Sequence, residues 1–563
     1  MLVESGVPAE GKRLAAWMPL AVFFAVLAVR SSYWAALEAT PLSEWHLWQE
    51  TDEWGYVDWS AHLAAGNWLD RPAWRSYFAW QVPLGARGEW ESWYQTNAYF
   101  AGPLYPYSLA LLRVMFGSPV IPARLFQLLL ACLTSAFLAR AVQNVGARCS
   151  GQAATFAGSV AGVVYGLYGP LVLHDSFLYR DGPVAHLSAL LLVAPFLGRE
   201  EKKRTGAVFL AGLLGGATIL LKQTVAPLAL GSVLLLSRKT PGGSFSLSRR
   251  RVSAGLVGLA IPLVVLAARN VSVGVPPLTF DTRQAIGLAW GSGHGADATT
   301  APPPGMKTIL DGAHGSTLTT LRLVLASYRD APLELPRLFL KKFATFLNRF
   351  EVPDNANFYF FRDRLPLLRW LPVFPCLLGA GLVGLYAALA RGALRGDEFL
   401  LLVVGILTPL AACLVVQTTS RYRIGVAGPL AMGAGLVFLF TFEEVRRRRW
   451  RSAGILASSV IVVSLVSLLP STIPSGRHRW SDTVVYATLV EARVSPEAAK
   501  AEIERYLREG GDDVRRAAGV RSMAHWLTGD RSNTRVSPEA IAPPERRVRE
   551  MKEEEDEEED EPE

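Results

Sequence analysis

The sequence predicts an all-α, multi-pass membrane protein with large loops on one side of the bilayer. Half of the 563 residues are hydrophobic and only 19% are charged, which is too apolar for an ordinary soluble protein of this size. The apolar residues form long blocks separated by short basic stretches, as membrane-spanning helices and their loops do. A net charge of +8 would suggest nucleic acid in a soluble protein. Here the arginines border apolar blocks, so we expect membrane lipids and no nucleic acid as partners.

Eleven apolar blocks are candidates for transmembrane helices, which need roughly 20 residues to cross the hydrocarbon core. The fifth and sixth blocks are short and are separated only by residues 222–224, so they form the weakest pair. The predicted fold class is therefore all-α with about 11 transmembrane helices. In chain order, the blocks are residues 14–29, 125–138, 153–173, 183–197, 207–221, 225–236, 252–268, 367–389, 399–416, 424–442 and 453–469.

Basic residues mark alternate loops between these blocks, for example at residues 12–13, 202–204 and 446–449. Because Lys and Arg accumulate on the cytoplasmic side, the pattern predicts a cytoplasmic N-terminus and an extracytoplasmic C-terminus in the inner or plasma membrane. Two long loops, residues 31–124 and 270–366, then lie outside. Loops of this length in a compact domain usually carry function.

The chain divides into three predicted regions. Residues 1–472 form the membrane domain with its outer loops. Residues 473–545 are more polar, and Ser495-Pro496-Glu497 is a typical helix start, so we predict a soluble helical domain on the outer side. Residues 546–563 are dominated by carboxylates and are predicted to be disordered.

An acidic pair stands near the beginning of the first outer loop, where Asp52 and Glu53 follow Thr51. A carboxylate at the membrane boundary suits the removal of a proton from an acceptor hydroxyl or amine. The same pattern is also typical of a helix N-terminus, with Thr51 or Asp52 as the cap and acids in the first turn. The pattern alone leaves both interpretations open.

Several short motifs follow one another on the predicted outer side. They are Asp52-Glu53 with the aromatic Tyr56 behind it, Pro103-Leu104-Tyr105-Pro106, Arg124-Leu125-Phe126-Gln127, Arg269-Asn270 and Ser420-Arg421-Tyr422-Arg423. Their order and common side resemble the GT-C fold glycosyltransferases of the protein O-mannosyltransferase and aminoarabinose-transferase-like families, which include dolichyl-phosphate-mannose protein mannosyltransferases. The resemblance covers roughly residues 14–442. It implies a GT-C type fold and a polyprenyl- or dolichyl-phosphate sugar as donor.

The resemblance also implies roles for individual residues. Asp52 is expected to be the catalytic base, with Glu53 as its support or as a second candidate. A lipid phosphate is best met by arginine, whose planar fork matches two phosphate oxygens. The candidates for donor phosphate binding are Arg269, Arg421, Arg423 and Lys222. A lipid donor also agrees with the lack of a Rossmann-like glycine-rich turn for a nucleotide sugar.

A short predicted outer turn and one aromatic residue supply the candidates for orienting the substrate. They are Asp175, Arg180, Asp181 and Tyr56. Lys222 and Arg180 are equally well explained as cations that reach from a helix end to the membrane interface. Arg180 and Asp181 are also explained as an ion pair that only supports the structure. The histidines show no ligand spacing, so no metal site is predicted. No cofactor is predicted, and a requirement for a divalent metal stays open.

The predicted function is a membrane glycosyltransferase that transfers a hexose or pentose from a polyprenyl-phosphate donor at the outer face, in glycosylation of the cell envelope. The acceptor is a protein, a lipid or a polysaccharide. The alternative is a transporter or flippase for a lipid-linked saccharide, which would place charged or broken helices near the bilayer centre. A further alternative is a non-enzymatic scaffold whose C-terminal helices recruit a partner.

Overall fold

The computed structural model describes residues 9–49, 51–94, 96–149, 151–198, 201–239, 246–297, 302–469 and 480–509. Within these ranges the chain forms 23 α-helices joined by turns and short 3-10 helices, with a single isolated β-bridge between Arg238 and Leu247. The predicted all-α class is therefore confirmed.

The helices of the first half of the chain alternate between apolar spans and shorter surface helices. They are α1 (Ala9–Glu38), α2 (Asp52–Ala64), α3 (Arg87–Trp93), α4 (Leu104–Phe116), α5 (Val120–Gly146), α6 (Gly151–Gly166), α7 (Gly169–His174), α8 (Asp181–Val193), α9 (Glu201–Leu221), α10 (Ala226–Leu236) and α11 (Arg249–Ser272).

The second half begins with five helices of the second long loop and returns to apolar spans. Its helices are α12 (Arg283–Ser292), α13 (Met306–Ala313), α14 (Thr317–Ser327), α15 (Glu334–Leu347), α16 (Phe358–Arg364), α17 (Phe374–Ala390), α18 (Gly396–Val415), α19 (Ser420–Arg423), α20 (Ala427–Arg446), α21 (Trp450–Val466), α22 (Trp480–Arg493) and α23 (Pro496–Glu509).

Six helical segments among the described residues are long and apolar enough to cross a membrane. They are Ala15–Glu38, Val120–Gly146, Lys203–Leu221, Arg249–Ser272, Gly396–Val415 and Ser420–Arg446. The other predicted blocks also lie on apolar helices, namely α6, α8, α10, α17 and α21, which are shorter than 18 residues. The chain is thus a membrane protein, and the number of eleven spans remains a prediction.

Close packing of the spans depends on glycine at two helix crossings. Where α17 meets α20, a Cβ atom added at Gly384 would overlap the carbonyl oxygen of Gly433. Where α9 meets α11, the same holds for Gly212 against the carbonyl oxygen of Gly255. Small residues let membrane helices approach closely enough for backbone contact, which compensates for the weak hydrophobic driving force between them in lipid.

The two ends of the helical bundle differ in character. At the end where α5 and α10 terminate, short connections are tied by ion pairs such as Arg148 with Glu398 (2.6 Å) and Arg391 with Glu444 (2.8 Å). The two long loops lead into the first residues of α5 and α17. Since the last residues of these helices lie at the end with the ion pairs, the long loops lie at the opposite end. Surface helices α2 to α4 and α12 to α16 lie in these loops.

Helices α22 and α23 pack on the loop end of the bundle. Arg493 donates to the carbonyl oxygen of Thr40 (2.8 Å), and Asn357 donates to Asp482 (2.9 Å). The guanidinium of Arg364 lies over the ring of Phe360, with 3.6 Å between Cζ and the ring centroid. The rest of the predicted soluble domain, residues 473–479 and 510–545, and the acidic tail, residues 546–563, lie outside the described residues.

Candidate functional site

Two neighbouring cavities open at the loop end of the bundle. The first, which we call the cationic cavity, has a volume of about 120 Å³. Its wall includes three cations, one acid and aromatic rings, among them Arg180, Lys222, Arg283, Asp281, Tyr94, Phe100 and Trp290. The second, the apolar cavity, measures about 30 Å³ and lies between α8, α10 and α18. Lys222, Thr224, Ala412 and Tyr422 line both cavities, so the two are adjacent.

Asp52 is positioned by the first turn of α2 and contacts one arginine from the wall of each cavity, although it lines neither cavity itself. Thr51 caps the helix by accepting the N–H of Trp54 at 3.2 Å, so the cap is Thr51 and the carboxylate of Asp52 points to other partners. It accepts from Arg421 Nη1 at 2.5 Å and from Arg283 Nη2 at 3.1 and 3.3 Å. Arg283 lines the cationic cavity and Arg421 lines the apolar cavity.

The charge of Asp52 is stabilised by these two arginines. Burial, which leaves only 7% of the residue exposed, would by itself raise the pKa of the carboxyl. The attraction of Arg283 and Arg421 outweighs burial and holds the pKa of Asp52 well below its ordinary value. Asp52 is therefore an anion in this arrangement, and its proton affinity is low.

Glu53 points to a different part of the protein. Its Oε1 accepts the backbone N–H of Leu178 at 2.9 Å and lies 3.7 Å from Arg124 Nη2. Burial raises the pKa of Glu53 to about 7, although Arg124 partly opposes the shift. Consecutive helix residues project about 100° apart, which explains why only Asp52 of the acidic pair meets the arginines of the cavities.

Arg421 and Arg423 of the Ser-Arg-Tyr-Arg motif have different surroundings. Arg421 bridges Asp52 and Asp354, which its Nε contacts at 2.6 Å. Arg423 pairs with Glu351 at 2.7 Å and donates to the carbonyl oxygen of Phe350 at 3.0 Å. Arg423 is not among the residues that line either cavity, so its contacts are those of a residue that holds the 346–351 segment in place.

Arg269 is occupied by backbone carbonyls instead of facing a cavity. Its Nε and Nη2 donate to Leu69 and Asp70, and its Nη1 donates to Asn97 at 2.7 Å and to the side chain of Asn270. The guanidinium also stacks on Tyr99, with 3.9 Å between Cζ and the ring centroid. These contacts use all five N–H groups and leave none for a phosphate, so we replace the predicted phosphate role of Arg269 by a structural one.

Lys222 and Arg180 both face the cationic cavity. Lys222 stands at the break between α9 and α10, pairs with Asp181 at 2.9 Å and lies over the ring of Tyr422. Arg180 donates to the carbonyl oxygen of Leu221 at 2.9 Å. The structure thus brings three of the predicted residues, Arg180, Asp181 and Lys222, to one side of the cavities.

Asp175 and Tyr56 lie behind the site. Asp175 is buried in an ion pair with Arg30 (2.5 Å) and accepts from His186 (2.8 Å). Tyr56 packs edge-on against Tyr105, and burial raises its pKa to about 12. Neither lines the cationic or the apolar cavity, so their contacts support the fold and do not support the predicted role in orienting substrate.

Arg283 and Asp281 belong to the site and were not among the predicted site residues. Asp281 lines the cationic cavity and accepts from Gln223 at 2.8 Å. Burial raises the pKa of Asp281, and Arg180 and Arg283 oppose this. The available signal was the pair of opposite charges in Asp281-Thr282-Arg283, separated by ten residues from the Arg269-Asn270 motif. Within the ranges that the structure describes, no three His, Cys, Asp or Glu residues are grouped so that they could hold a metal ion.

Comparison with known proteins gives matches among solved structures alone, since no family model and no curated protein matches the sequence. The chain is similar to the oligosaccharyltransferase of Archaeoglobus fulgidus in the apo form, with 11% identity and a TM-score of 0.41. The match covers 92% of this chain and 61% of that chain. The same enzyme tethered with an acceptor peptide containing the NVT sequon matches at 12% identity and a TM-score of 0.39, covering 85% of this chain and 55% of that chain.

A third structure, the archaeal oligosaccharyltransferase AglB from Archaeoglobus fulgidus with an inhibitory peptide and a dolichol-phosphate, matches at 12% identity and a TM-score of 0.36. It covers 92% of this chain and 61% of that chain, so the chain spans about three-fifths of its length. An oligosaccharyltransferase is a glycosyltransferase, the class that the sequence motifs resemble. Similarity of this degree carries no argument about the activity, which must come from the site itself.

Proposed function

We propose that the protein is a membrane glycosyltransferase that takes a sugar from a polyprenyl-phosphate donor at the outer face of the membrane. The observation that carries this proposal is one carboxylate, Asp52, held by Arg283 from the wall of a cationic cavity and by Arg421 from the wall of an adjoining apolar cavity. Such a site combines a proton acceptor with cations for a phosphate and an apolar surface for a lipid chain.

The donor phosphate would bind at the cationic cavity. Lys222, Arg180 and Arg283 line it together, and charge-assisted hydrogen bonds to phosphate are among the strongest polar contacts in proteins. The first carbons of the polyprenyl chain would lie at the adjoining apolar cavity of about 30 Å³, where Val184, Leu228 and Pro409 form part of the wall, and the rest of the chain would lie in the bilayer. The sharing of Lys222 by both cavities favours this arrangement, because a lipid phosphate has its charge and its apolar chain on adjacent atoms.

The sugar would lie against the aromatic side of the cationic cavity. Tyr94, Phe100 and Trp290 supply this side, and aromatic faces suit the apolar faces of sugar rings. Asp52 would accept the proton of the acceptor as the acceptor attacks the anomeric carbon. The phosphate would leave against the guanidinium groups, which stabilise the charge that develops there. A single displacement of this kind inverts the anomeric configuration.

The acceptor is a protein, a lipid or a polysaccharide, and each class would be tested in parallel. Purified protein in nanodiscs would be incubated with radiolabelled polyprenyl-phosphate sugars, hexoses and pentoses, while release of polyprenyl phosphate and labelled product is followed. Activity should be lost in Asp52→Asn and retained in Asp58→Asn, an exposed carboxylate on the same helix. In a parallel assay with the protein in sealed liposomes, movement of intact lipid-linked sugar between the leaflets without release of polyprenyl phosphate would support the transporter instead.

A further inference from the structure

Arg283 and Arg421 hold Asp52 in a state that is unsuited to proton transfer. Both guanidinium groups hydrogen-bond the carboxylate, which is 7% exposed. A base must offer an oxygen to the acceptor within hydrogen-bond reach and must have adequate proton affinity. The arrangement therefore requires a change before chemistry, and the change must move at least one arginine away from Asp52.

The charge balance of the site indicates what drives that change. Around the two cavities the described residues supply four cations and four carboxylates: Arg180, Lys222, Arg283 and Arg421 with Asp52, Asp181, Asp281 and Asp354. Lys222 pairs with Asp181, and Arg421 bridges Asp52 and Asp354. A donor phosphate adds one negative charge, so it competes with the carboxylates for contact with these cations.

The contact between Arg283 and Asp52 is the one most easily exchanged. A single nitrogen, Nη2, reaches both carboxylate oxygens at 3.1 and 3.3 Å, which is weaker than a parallel two-nitrogen fork. The side chain of Arg283 is 24% exposed and lines the cationic cavity. Arg421, in contrast, is 6% exposed and is held from its other side by Asp354.

We propose that Arg283 is a latch on the catalytic base, which holds Asp52 until the donor phosphate takes the place of the carboxylate. The guanidinium then contacts the phosphate, and the released Asp52 faces the acceptor. The acceptor heteroatom forms its bond to the anomeric carbon while its proton passes to Asp52. The bond between the anomeric carbon and the phosphate oxygen breaks, and its electron pair stays on the lipid phosphate beside Arg283. Departure of the lipid phosphate returns Arg283 to Asp52, whose proton is lost to water.

The latch rests on the proposed function, and binding measurements test it without turnover. The probe is polyprenyl phosphate without sugar, titrated into the full-length protein in nanodiscs. Asp52→Asn should bind the probe at least about tenfold more tightly than wild type, because Arg283 no longer has to leave a carboxylate and one charge-assisted hydrogen bond is worth that much. Equal or weaker binding would overturn the latch, and so would a gain that persists when Arg283 is also replaced, because the loss of a nearby negative charge alone would then explain it.

Two further variants, Arg283→Gln and the double variant Asp52→Asn with Arg283→Gln, test the latch by replacing the arginine. Arg283→Gln should weaken binding of polyprenyl phosphate by about tenfold or more, and unchanged binding contradicts the proposal. In the double variant the gain from Asp52→Asn should disappear, because the arginine that it releases is gone. Asp52→Ser repeats the test if the Asn variant does not fold, and Asp58→Asn should bind like wild type.

The two proposals can fail separately. If the predicted coupling between Asp52 and Arg283 is found but no sugar is transferred from any donor, Arg283 exchanges Asp52 for phosphate in a protein that is not a transferase, and the proposed function is wrong. If sugar is transferred and the coupling is absent, the transferase stands and the latch is wrong.

Discussion

Arg421 Nη1 lies 2.5 Å from Asp52 Oδ2, a contact between residues 369 positions apart in the chain. The same guanidinium contacts Asp354 through Nε at 2.6 Å. Arg421 therefore joins the first long loop, the second long loop and the beginning of the tenth predicted span. The candidate site is built at this junction, and five predictions test the site and the scaffold that supports it.

The first prediction separates the two acidic residues. Asp52→Asn should lower turnover of a lipid-phosphate sugar by about 10²–10⁴-fold, the usual loss for a general base. Glu53→Gln should keep most of the activity, because Glu53 faces Leu178 and Arg124 instead of the cavities. Initial rates at saturating donor would be compared, with melting temperatures as the folding control. The reverse ranking would make Glu53 the base.

The second prediction concerns pH and Glu53. Burial raises the pKa of this carboxyl to about 7 from its ordinary 4.5, so the folded protein binds the proton more tightly than the unfolded chain. The contribution of Glu53 to the free energy of unfolding is complete below the pKa that Glu53 has in the unfolded chain, and it is lost as pH rises through about 7. Glu53→Gln carries no charge, so its melting temperature relative to wild type should increase from about pH 5 to pH 8. A difference that does not change with pH contradicts this.

The third prediction contrasts two arginines near the loops. Arg269→Ala should reduce the free energy of unfolding by about 3 kcal/mol or more, because the guanidinium donates to several carbonyls that would be left without it. The apparent donor affinity of the folded fraction should stay near wild type. Arg180→Ala is the matched comparison, since Arg180 lines the cationic cavity. This variant should lower the apparent affinity for the donor and should reduce the free energy of unfolding less than Arg269→Ala does. A lowered apparent affinity for the donor in folded Arg269→Ala would restore the predicted role of Arg269 in binding the donor phosphate.

The fourth prediction tests the crossing of α17 and α20. Gly433→Ala should lower the free energy of unfolding by about 1–3 kcal/mol, the usual cost of overpacking, because its Cβ would overlap the carbonyl oxygen of Gly381. Gly454→Ala is the control, since an added Cβ on this residue of α21 meets no atom within 4 Å. Thermal unfolding in the same detergent would compare them. Equal losses would mean that helix propensity alone is being measured.

The fifth prediction is the topology. A reporter that is active only after export should be active when fused after Glu509 and inactive when fused after Arg447, because basic loops stay in the cytoplasm. A reporter that needs the cytoplasm should show the opposite pattern. Cytoplasmic activity after Glu509 would require an even number of spans before that point, and it would move α22 and α23 to the other side.

The membrane character and most helix positions follow from local sequence. Every one of the eleven apolar blocks falls on a helix, because a segment surrounded by lipid has to satisfy its backbone hydrogen bonds internally. The helix start at residue 52 was also readable, since Thr51 followed by two acids matches a first turn. The resemblance of the outer motifs predicts site roles for Asp52 and Arg421, and the structure brings these two residues together.

Tertiary structure decided which charged residues meet. Asp52 and Glu53 are adjacent, yet only Asp52 contacts the arginines of the cavities. Arg421 and Arg423 are two positions apart, yet only Arg421 lines a cavity, because helical residues project in different directions. Arg283 reaches Asp52 across 231 positions of chain, and no local pattern encodes a contact of that length. The apolar or polar composition of each segment determined whether that segment lies in lipid or in water. The packing of loops from distant parts of the chain determined whether an arginine holds a carbonyl, a carboxylate or the wall of a cavity.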